Sequence, residues 1–305
     1  MPDVAPALRI DSVQPLCERS HTLSIGVFEM VRIVAVGDND VDCYQSTGLM
    51  YPGGNCFNVS VFASRFGAQS AFIGAIADDP AGRLISNALK QENVDTRRLQ
   101  VVDGTTAYCV IGHKNGDRVF LSNDFGVSRF TPNPGDVAFL DEFDAAHIYQ
   151  SCGLDDWLAD FAARTKLSYD FSTRREAEHL EAVAPHCWMA SFSVSDLSPG
   201  DTANLIKSVA SLGPSWVLAT RGSLGAMLSD GDAVFSVAAT PVKIVDTLGA
   251  GDTFIARVLV GLLKGEPAQV SLQAAANAAA QTCTYFGAIG YGSPIDVIKV
   301  RPQRI

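Results

Sequence analysis

The chain has 305 residues, of which 33 are acidic and 23 basic, and its formal net charge is −10. Nucleic acids and anionic membranes attract clusters of Lys and Arg, and the sequence contains no such cluster, so we expect neither as a partner. The seven cysteines are scattered singly, and no apolar run approaches the ~20 residues that span a bilayer, which is typical of a cytoplasmic protein with reduced thiols.

The first 29 residues differ from the rest of the chain. They contain Pro2, Pro6 and Pro15 and show no clear hydrophobic period. This pattern indicates an extension outside the folded domain or, alternatively, an arm that packs on a neighbouring molecule. The folded domain is predicted to occupy residues 30–305.

From residue 31 onward, short β-prone runs alternate with stretches of helical length. The runs occupy residues 31–36, 71–76, 146–149, 167–171, 187–192 and 216–219. Repeated β-α-β units predict an α/β protein with a doubly wound, mainly parallel sheet and helices on both faces. Ligands of such folds bind at the carboxyl ends of the strands.

Three aspartates follow the first predicted strand at two-residue spacing. If this segment is extended, Asp38, Asp40 and Asp42 project to one side, because side chains of a strand alternate between its faces. Carboxylates accept hydrogen bonds from sugar hydroxyls and attract amines, so this face is a candidate binding surface. The alternative is a solvated strand end with turn-forming aspartates.

A different pattern surrounds the dipeptide Asn115-Gly116, which separates two β-prone runs within residues 107–122. Asn-Gly is a preferred centre of a two-residue turn, and the pattern therefore predicts a β-hairpin.

Residues 246–254 combine a glycine turn, the start of an apolar helix and a carboxylate. The amides of Gly249, Ala250 and Gly251 would point outward from the helix start, where the helix dipole favours an anion such as a phosphoryl group. Asp252 would stand beside that anion, as expected of a base in phosphoryl transfer. A plain loop followed by a helix-capping aspartate is the alternative.

Four motifs follow one another in order between residues 31 and 292. They are the pair Gly53-Gly54 followed by Asn58, the run 74–82 that begins and ends with glycine, the turn 220–225 and the segment 246–254. Together they resemble the ribokinase-like (phosphofructokinase B type) family of sugar kinases. The resemblance implies an ATP-dependent enzyme that requires Mg²⁺ and phosphorylates a hydroxymethyl group of a sugar.

The resemblance also implies roles for individual residues. Asp252 becomes the catalytic base, and Gly249, Ala250 and Gly251 hold the developing charge. The implied nucleotide-binding residues are Thr220, Gly222, Gly225, Thr247 and Asn277. Asn277 lies in an alanine-rich helix, a composition that is also typical of ordinary core packing.

Residues 37–44, 53–59 and 117–120 resemble the fructoselysine 6-kinase branch of this family, whose members phosphorylate an amine-substituted fructose. The implied sugar contacts are Asp38, Asn39, Asp42, Gly54, Asn58 and Arg118. A fructokinase, ribokinase or nucleoside kinase is the nearest alternative, since pocket residues rather than the fold decide the acceptor. For Arg118 the alternative is a surface charge.

Two departures from the family pattern favour a further alternative, a catalytically weakened nucleotide-binding regulator. The family's Asn-x-x-Glu segment, which organises the metal through water, has no clear copy in residues 190–196, where Asp196 is the nearest substitute as a metal ligand. Arg257 stands where the family usually has Gly or Ala. A Rossmann-type oxidoreductase is disfavoured because no Gly-x-Gly-x-x-Gly follows the first strand.

Members of the family lay a small β-sheet over the sugar as a lid. Residues 43–51 and 105–124 are the implied lid segments, although an ordinary surface hairpin would also explain the second of them. Lid sheets of this kind often pair between subunits and so bury an exposed edge, which implies a homodimer formed through the lid.

Overall fold

The computed structural model describes the backbone of residues 30–114 and 117–297. Side chains are described throughout these ranges except at residues 113–120. The described strands are β1 (Arg32–Val36), β2 (Asp40–Tyr44), β3 (Leu49–Gly53), β4 (Gln69–Ala77), β5 (Asp95–Val102), β6 (Tyr108–Lys114), β7 (Asp117–Asp124), β8 (Ala145–Tyr149), β9 (Lys166–Asp170), β10 (Met189–Ser193), β11 (Trp216–Thr220), β12 (Ala226–Ser229), β13 (Val234–Val237) and β14 (Ser293–Pro294). The described α-helices are α1 (Asn55–Arg65), α2 (Pro80–Gln91), α3 (Pro134–Phe139), α4 (Leu158–Ala162), α5 (Ala177–Val183), α6 (Pro199–Ala210), α7 (Ala250–Leu263) and α8 (Ala268–Thr282). The predicted extension, residues 1–29, lies outside the described residues.

The larger sheet has nine strands within the described part of the chain, in the order β13-β12-β11-β10-β9-β8-β1-β4-β5. Pairing is parallel from β11 to β5, and only β12 and β13 join antiparallel at one edge. All six predicted runs coincide with strands of this sheet, and the predicted α/β fold with its mainly parallel sheet is confirmed. The strands β1 and β4 are buried at every position after their first residue, as continuous apolar strands covered on both faces should be.

Helix α7 packs against both α1 and α8, and α1 also contacts β1, β4 and β8. Their apolar residues join those of the sheet in one core, which includes Phe57, Phe72 and Leu259. Arg257 lies on α7 with its guanidinium donating to Glu266 at 2.9 Å, and it lies outside the described lining of the site below. None of the helices in the described ranges is both long and apolar enough to cross a membrane.

The smaller sheet has five strands among the described residues, in the order β14-β3-β2-β6-β7. The predicted hairpin is confirmed, because β6 and β7 pair antiparallel on either side of residues 115 and 116. The implied lid segments, 43–51 and 105–124, fall on or between strands of this sheet.

Candidate active site

A cleft of about 380 Å³ lies between the two sheets, at the carboxyl ends of β1, β9, β10 and β11. Its described lining consists of Asp38, Asp40, Asp42, Gly54, Asn55, Asn58, Cys109, Tyr149, Asp170, Ser172, Phe192, Ser193, Thr220, Leu248, Gly249, Gly251, Asp252 and Ile255. This volume suits a small molecule, and the position is the usual one for ligands of an open α/β sheet. A second cavity of about 520 Å³ lies between α1, α7 and α8, but no carboxylate occurs in its described lining. The chemistry therefore favours the first.

One wall of the cleft is the start of α7, which follows a left-handed residue. Gly249 has φ 75°, and a Cβ at this position would lie 2.3 Å from the Cβ of Ala288, so the turn requires glycine. At Gly251 a Cβ would meet no atom within 4 Å, so the backbone is open on that side. Open amides at a helix start, together with the helix dipole, form a site for an anion.

The loop before α7 is held in place by the buried side chain of Asp246. Its carboxylate accepts hydrogen bonds from the Tyr44 hydroxyl of the smaller sheet and from the backbone amides of Leu248 and Gly287, both at 3.1 Å. These contacts connect the smaller sheet directly to the glycine turn. A shift of β2 would therefore be transmitted to the start of α7.

Asp252 lies in the first turn of α7, partly exposed to the cleft. Its Oδ1 accepts a hydrogen bond from Asn55 at 2.8 Å and its Oδ2 accepts one from Asn58 at 2.7 Å. Burial raises the pKa of Asp252 to about 7, and the negative charges of Asp170 and Asp38 add to the rise, while the two amide donors oppose it. A carboxylate that titrates near neutral pH is matched to accepting a proton from a hydroxyl.

A second carboxylate that the sequence analysis missed stands beside this one. Asp170, at the end of β9, accepts hydrogen bonds from Asn55 and from the backbone amide of Ser172, each at 2.9 Å. Burial raises the pKa of Asp170 to about 6, with hydrogen bonds opposing the rise. The Nδ2 atom of Asn55 thus bridges Asp170 and Asp252. Asn55 directly follows the recognised glycine pair, which was the only signal in the sequence for it.

The three aspartates at two-residue spacing all reach the cleft. Asp38 accepts hydrogen bonds from the backbone amides of Asn55 and Cys56, at 2.8 and 2.9 Å, and thereby caps α1. Asp40 has a fully buried Oδ1 without a hydrogen-bond partner, and burial followed by the charges of Asp42 and Asp38 raises its pKa well above the usual range.

Glycine is required opposite these carboxylates. A Cβ at Gly53 would lie 2.2 Å from the Oδ2 of Asp42 and 3.0 Å from the Oδ1 of Asp40. Gly54, at φ 101°, would bring a Cβ to 2.7 Å from the Cα of Asn39. The glycine pair therefore leaves room for the two acids of β2 and for the turn into α1.

Two residues implied as ligand contacts are placed elsewhere by the structure. Asn39 is completely buried and its Nδ2 donates to the carbonyl of Ala75 at 3.0 Å, and it lies outside the described lining of the cleft. Asp196 lies outside the described lining and pairs with Arg175 at 2.7 Å at an exposed position. Asn39 belongs to the connection between β1 and β2, where the side chains of its neighbours Asp38 and Asp40 reach the cleft. Ser193, rather than Asp196, reaches the cleft from this segment.

The residues implied to bind the nucleotide differ in their position relative to the cleft. Thr220 lines the cleft at the end of β11. Gly225, at φ 88°, is required by the turn itself, because a Cβ there would lie 1.9 Å from the carbonyl oxygen of Val237. Gly222 and Thr247 are exposed and lie outside the described lining of the cleft.

Two further predicted contacts cannot be placed in the cleft. Asn277 is exposed on α8, where its Oδ1 accepts a hydrogen bond from Thr240 at 2.7 Å. Arg118 belongs to β7, and its side chain lies outside the described residues. Its role as a sugar contact stays a prediction.

Comparison with known proteins agrees with this fold. Residues 20–295 match the model of the pfkB family of carbohydrate kinases. The chain is 38% identical over 269 residues to fructosamine kinase FrlD of Bacillus subtilis (strain 168), covering 87% of this chain and 95% of that protein. It is 30% identical over 262 residues to fructoselysine 6-kinase of Escherichia coli (strain K12), covering 85% and 100%. The structure of Arabidopsis thaliana ribokinase complexed with ribose and ATP superposes with a TM-score of 0.74 at 18% identity, covering 86% of this chain and 95% of that one.

A mainly parallel sheet, a glycine turn before a helix and a carboxylate in its first turn thus define a phosphotransferase of the ribokinase-like fold. The chain belongs to the pfkB family of carbohydrate kinases. It is an enzyme that phosphorylates a sugar.

Proposed function

We propose that the chain transfers the γ-phosphoryl group of ATP to a primary hydroxyl of an amine-substituted fructose. The observation that carries this proposal is the position of Asp252, whose pKa is raised to about 7 by burial and which stands between open helix-start amides and four further carboxylates. The names of two relatives, a fructosamine kinase and a fructoselysine 6-kinase, support the same substrate class.

The proposed transfer is direct and in line. The carboxylate of Asp252 accepts the proton of the acceptor hydroxyl, and the hydroxyl oxygen attacks the γ-phosphorus while ADP leaves. The amides of Gly249, Ala250 and Gly251 stabilise the charge that develops on the phosphoryl oxygens. Catalysis by this site would come chiefly from positioning and from electrostatic stabilisation.

Recognition of the amine is assigned to the acids of β2 and the preceding turn. Asp38, Asp40 and Asp42 face the cleft, and none of its described lining residues is Lys or Arg. A substituted ammonium group in the cleft would favour the ionised forms of these carboxylates, which a neutral sugar would not do. The buried and unpartnered Oδ1 of Asp40 is the atom that would gain most from such a ligand.

We propose that Mg²⁺ binds together with ATP, because a triphosphate needs a cation to offset its charge. Among the described residues, no cluster of oxygen ligands forms a preformed site for this ion. The only three donor atoms found within 4.8 Å of one another in the described part of the chain belong to Asp38, Cys56 and Cys152, and two thiols suit a softer ion. We expect phosphate oxygens and water to supply most of the ligands of Mg²⁺, which is its usual mode of binding.

A homodimer formed through the smaller sheet is also proposed. Among the described strands, β7 lies at the edge of that sheet and carries Leu121, which is 52% exposed. An exposed apolar edge strand is a surface that proteins normally cover. Sedimentation equilibrium over a range of concentrations tests this, and a monomer at all of them would contradict it.

The substrate is tested with an assay of ADP release against fructoselysine, fructose, tagatose, ribose and a nucleoside. We expect the highest kcat/KM for fructoselysine. Asp252→Asn should still bind ATP but lose about 10²- to 10⁴-fold in kcat, the range for loss of a general base. Substantial activity in that variant would remove Asp252 as the base.

Asp40→Asn tests recognition of the amine separately from catalysis. We expect the KM for fructoselysine to rise about tenfold, which corresponds to ~1.4 kcal/mol, and the KM for fructose to change little. Asp103→Asn removes the same charge from an exposed turn and serves as the control. An equal rise of KM for both sugars would contradict the role of Asp40.

A further inference from the structure

We propose that His147 is a positioning residue for phosphoryl transfer, which holds the side-chain amide of Asn55 in the one orientation that donates to both Asp252 and Asp170. The inference rests on the proposed role of Asp252 as the base. No motif in the sequence marks His147, which lies in the middle of the predicted strand 146–149.

The contacts form a continuous chain from the sheet to the base. His147 on β8 is paired in register with Ser168 on β9, and its Nδ1 lies 3.0 Å from the hydroxyl of Ser168. Its Nε2 lies 2.9 Å from the Oδ1 of Asn55. The Nδ2 of Asn55 donates to Asp252 at 2.8 Å and to Asp170 at 2.9 Å. His147 and Ser168 are both completely buried.

These contacts are compatible with one arrangement of protons. A carboxylate accepts hydrogen bonds, so the NH₂ group of Asn55 must face Asp252 and Asp170, and its Oδ1 must face His147. The Nε2 of His147 must then carry a hydrogen and donate it to that oxygen. The Nδ1 of a neutral imidazole is consequently an acceptor, and the hydroxyl of Ser168 donates to it.

The imidazole is suited to this role because it stays neutral. Burial lowers the pKa of His147 to about 3, so its protonation state does not change over the pH range in which a base titrating near neutral pH works. A charged imidazole would donate from Nδ1 as well and would break the present arrangement with Ser168.

The charges around Asp252 explain why a fixed donor matters. Asp170 faces it from β9 and Asp38 faces it from the turn after β1, while Asp40 and Asp42 lie on β2 in the same cleft. No described lining residue carries a positive charge. The negative charge of Asp252 is therefore stabilised by the amide donors and by the start of α7.

The neighbouring Asn58 provides an internal comparison. It donates to the other oxygen of Asp252, but its own Oδ1 is buried without a hydrogen-bond partner. No described residue forms a hydrogen bond with this oxygen that would fix the orientation of the Asn58 amide. In Asn55, by contrast, the side-chain oxygen accepts a hydrogen bond from His147. Asn55 is therefore the donor to Asp252 whose orientation is fixed.

The test compares two substitutions of the same residue. His147→Met removes the Nε2 donor, whereas His147→Gln keeps an N–H group at similar reach. With ATP and fructoselysine, we expect His147→Met to move the acid limb of the kcat/KM profile up by about one pH unit, because the base loses a fixed donor. The KM for ATP should stay unchanged, and His147→Gln should restore most of the wild-type profile. His179→Met, a change at a buried histidine outside the described lining of the cleft, is the matched control.

An unchanged acid limb in folded His147→Met, or a Gln variant as impaired as the Met variant, would overturn the proposal. Long-range ¹H–¹⁵N spectra of the wild-type protein provide a second measurement that needs no variant to fold. We expect the Nε2–H tautomer of His147, and an Nδ1–H tautomer would overturn the proposal equally. Asp252→Asn separates the two hypotheses: an active Asp252→Asn contradicts the proposed base, whereas an inactive one with a normal His147→Met profile contradicts only the positioning role.

Discussion

Replacing Asp252 by Asn should make the folded protein more stable, and increasingly so as the pH rises. Burial raises the pKa of this carboxyl from 3.8 to about 7. Because the folded-state pKa is the higher one, the contribution of protonation to stability is fully present below about pH 4 and is lost as the pH rises through about 7. A rise of about three units corresponds to at most ~4 kcal/mol. Water in the open cleft screens the charge, so we expect a gain of about 2 kcal/mol.

The substituted side chain should fit without rearrangement of the backbone. Asn at position 252 retains an oxygen that can accept the hydrogen bond from Asn55. Its new NH₂ group would face Asn58, whose own amide can turn because its Oδ1 has no partner. The gain in stability should therefore not be cancelled by a new unsatisfied group.

Urea unfolding followed by tryptophan fluorescence, at about pH 4.5 and about pH 8.5, measures this difference. The advantage of Asp252→Asn should be small at the lower pH and reach its plateau above neutral pH. Asp103→Asn, at an exposed position, should show no comparable trend. A stability difference that is constant over this range, or a variant less stable than the wild type at the higher pH, would refute the reasoning.

Two further changes test the connection between the glycine turn and the smaller sheet. Gly249→Ala forces a side chain into φ 75° and against Ala288, so we expect a loss of ~2 kcal/mol in unfolding free energy and of at least about 100-fold in kcat, measured by urea unfolding and by ADP release. Tyr44→Phe removes a donor from the buried carboxylate of Asp246, and calorimetry should show a lower Tm that corresponds to ~1–3 kcal/mol. A Tm equal to that of the wild type would show that the hydroxyl does not stabilise this loop.

Local patterns in the sequence were sufficient for the fold and for part of the site. Six β-prone runs predicted strands of the parallel sheet, since a strand covered on both faces must be apolar along its length. The glycine turn predicted the start of α7, because its backbone conformation is one that only glycine adopts readily. The two-residue spacing of Asp38, Asp40 and Asp42 likewise predicted that they share one surface.

The tertiary structure decided which side chains meet. Asn55, His147 and Asp170 come from three elements separated by up to 115 residues, and only the order of the strands brings them together beside Asp252. Asn39 does not line the described cleft, because its side chain is buried against Ala75, and a motif match alone does not show which way a side chain points. A hydrogen bond depends on distances of about 3 Å and on orientation, which the chain acquires only when the sheet is assembled. Propensity and spacing are local properties of a sequence, whereas the environment that raises the pKa of Asp252 exists only in the packed structure.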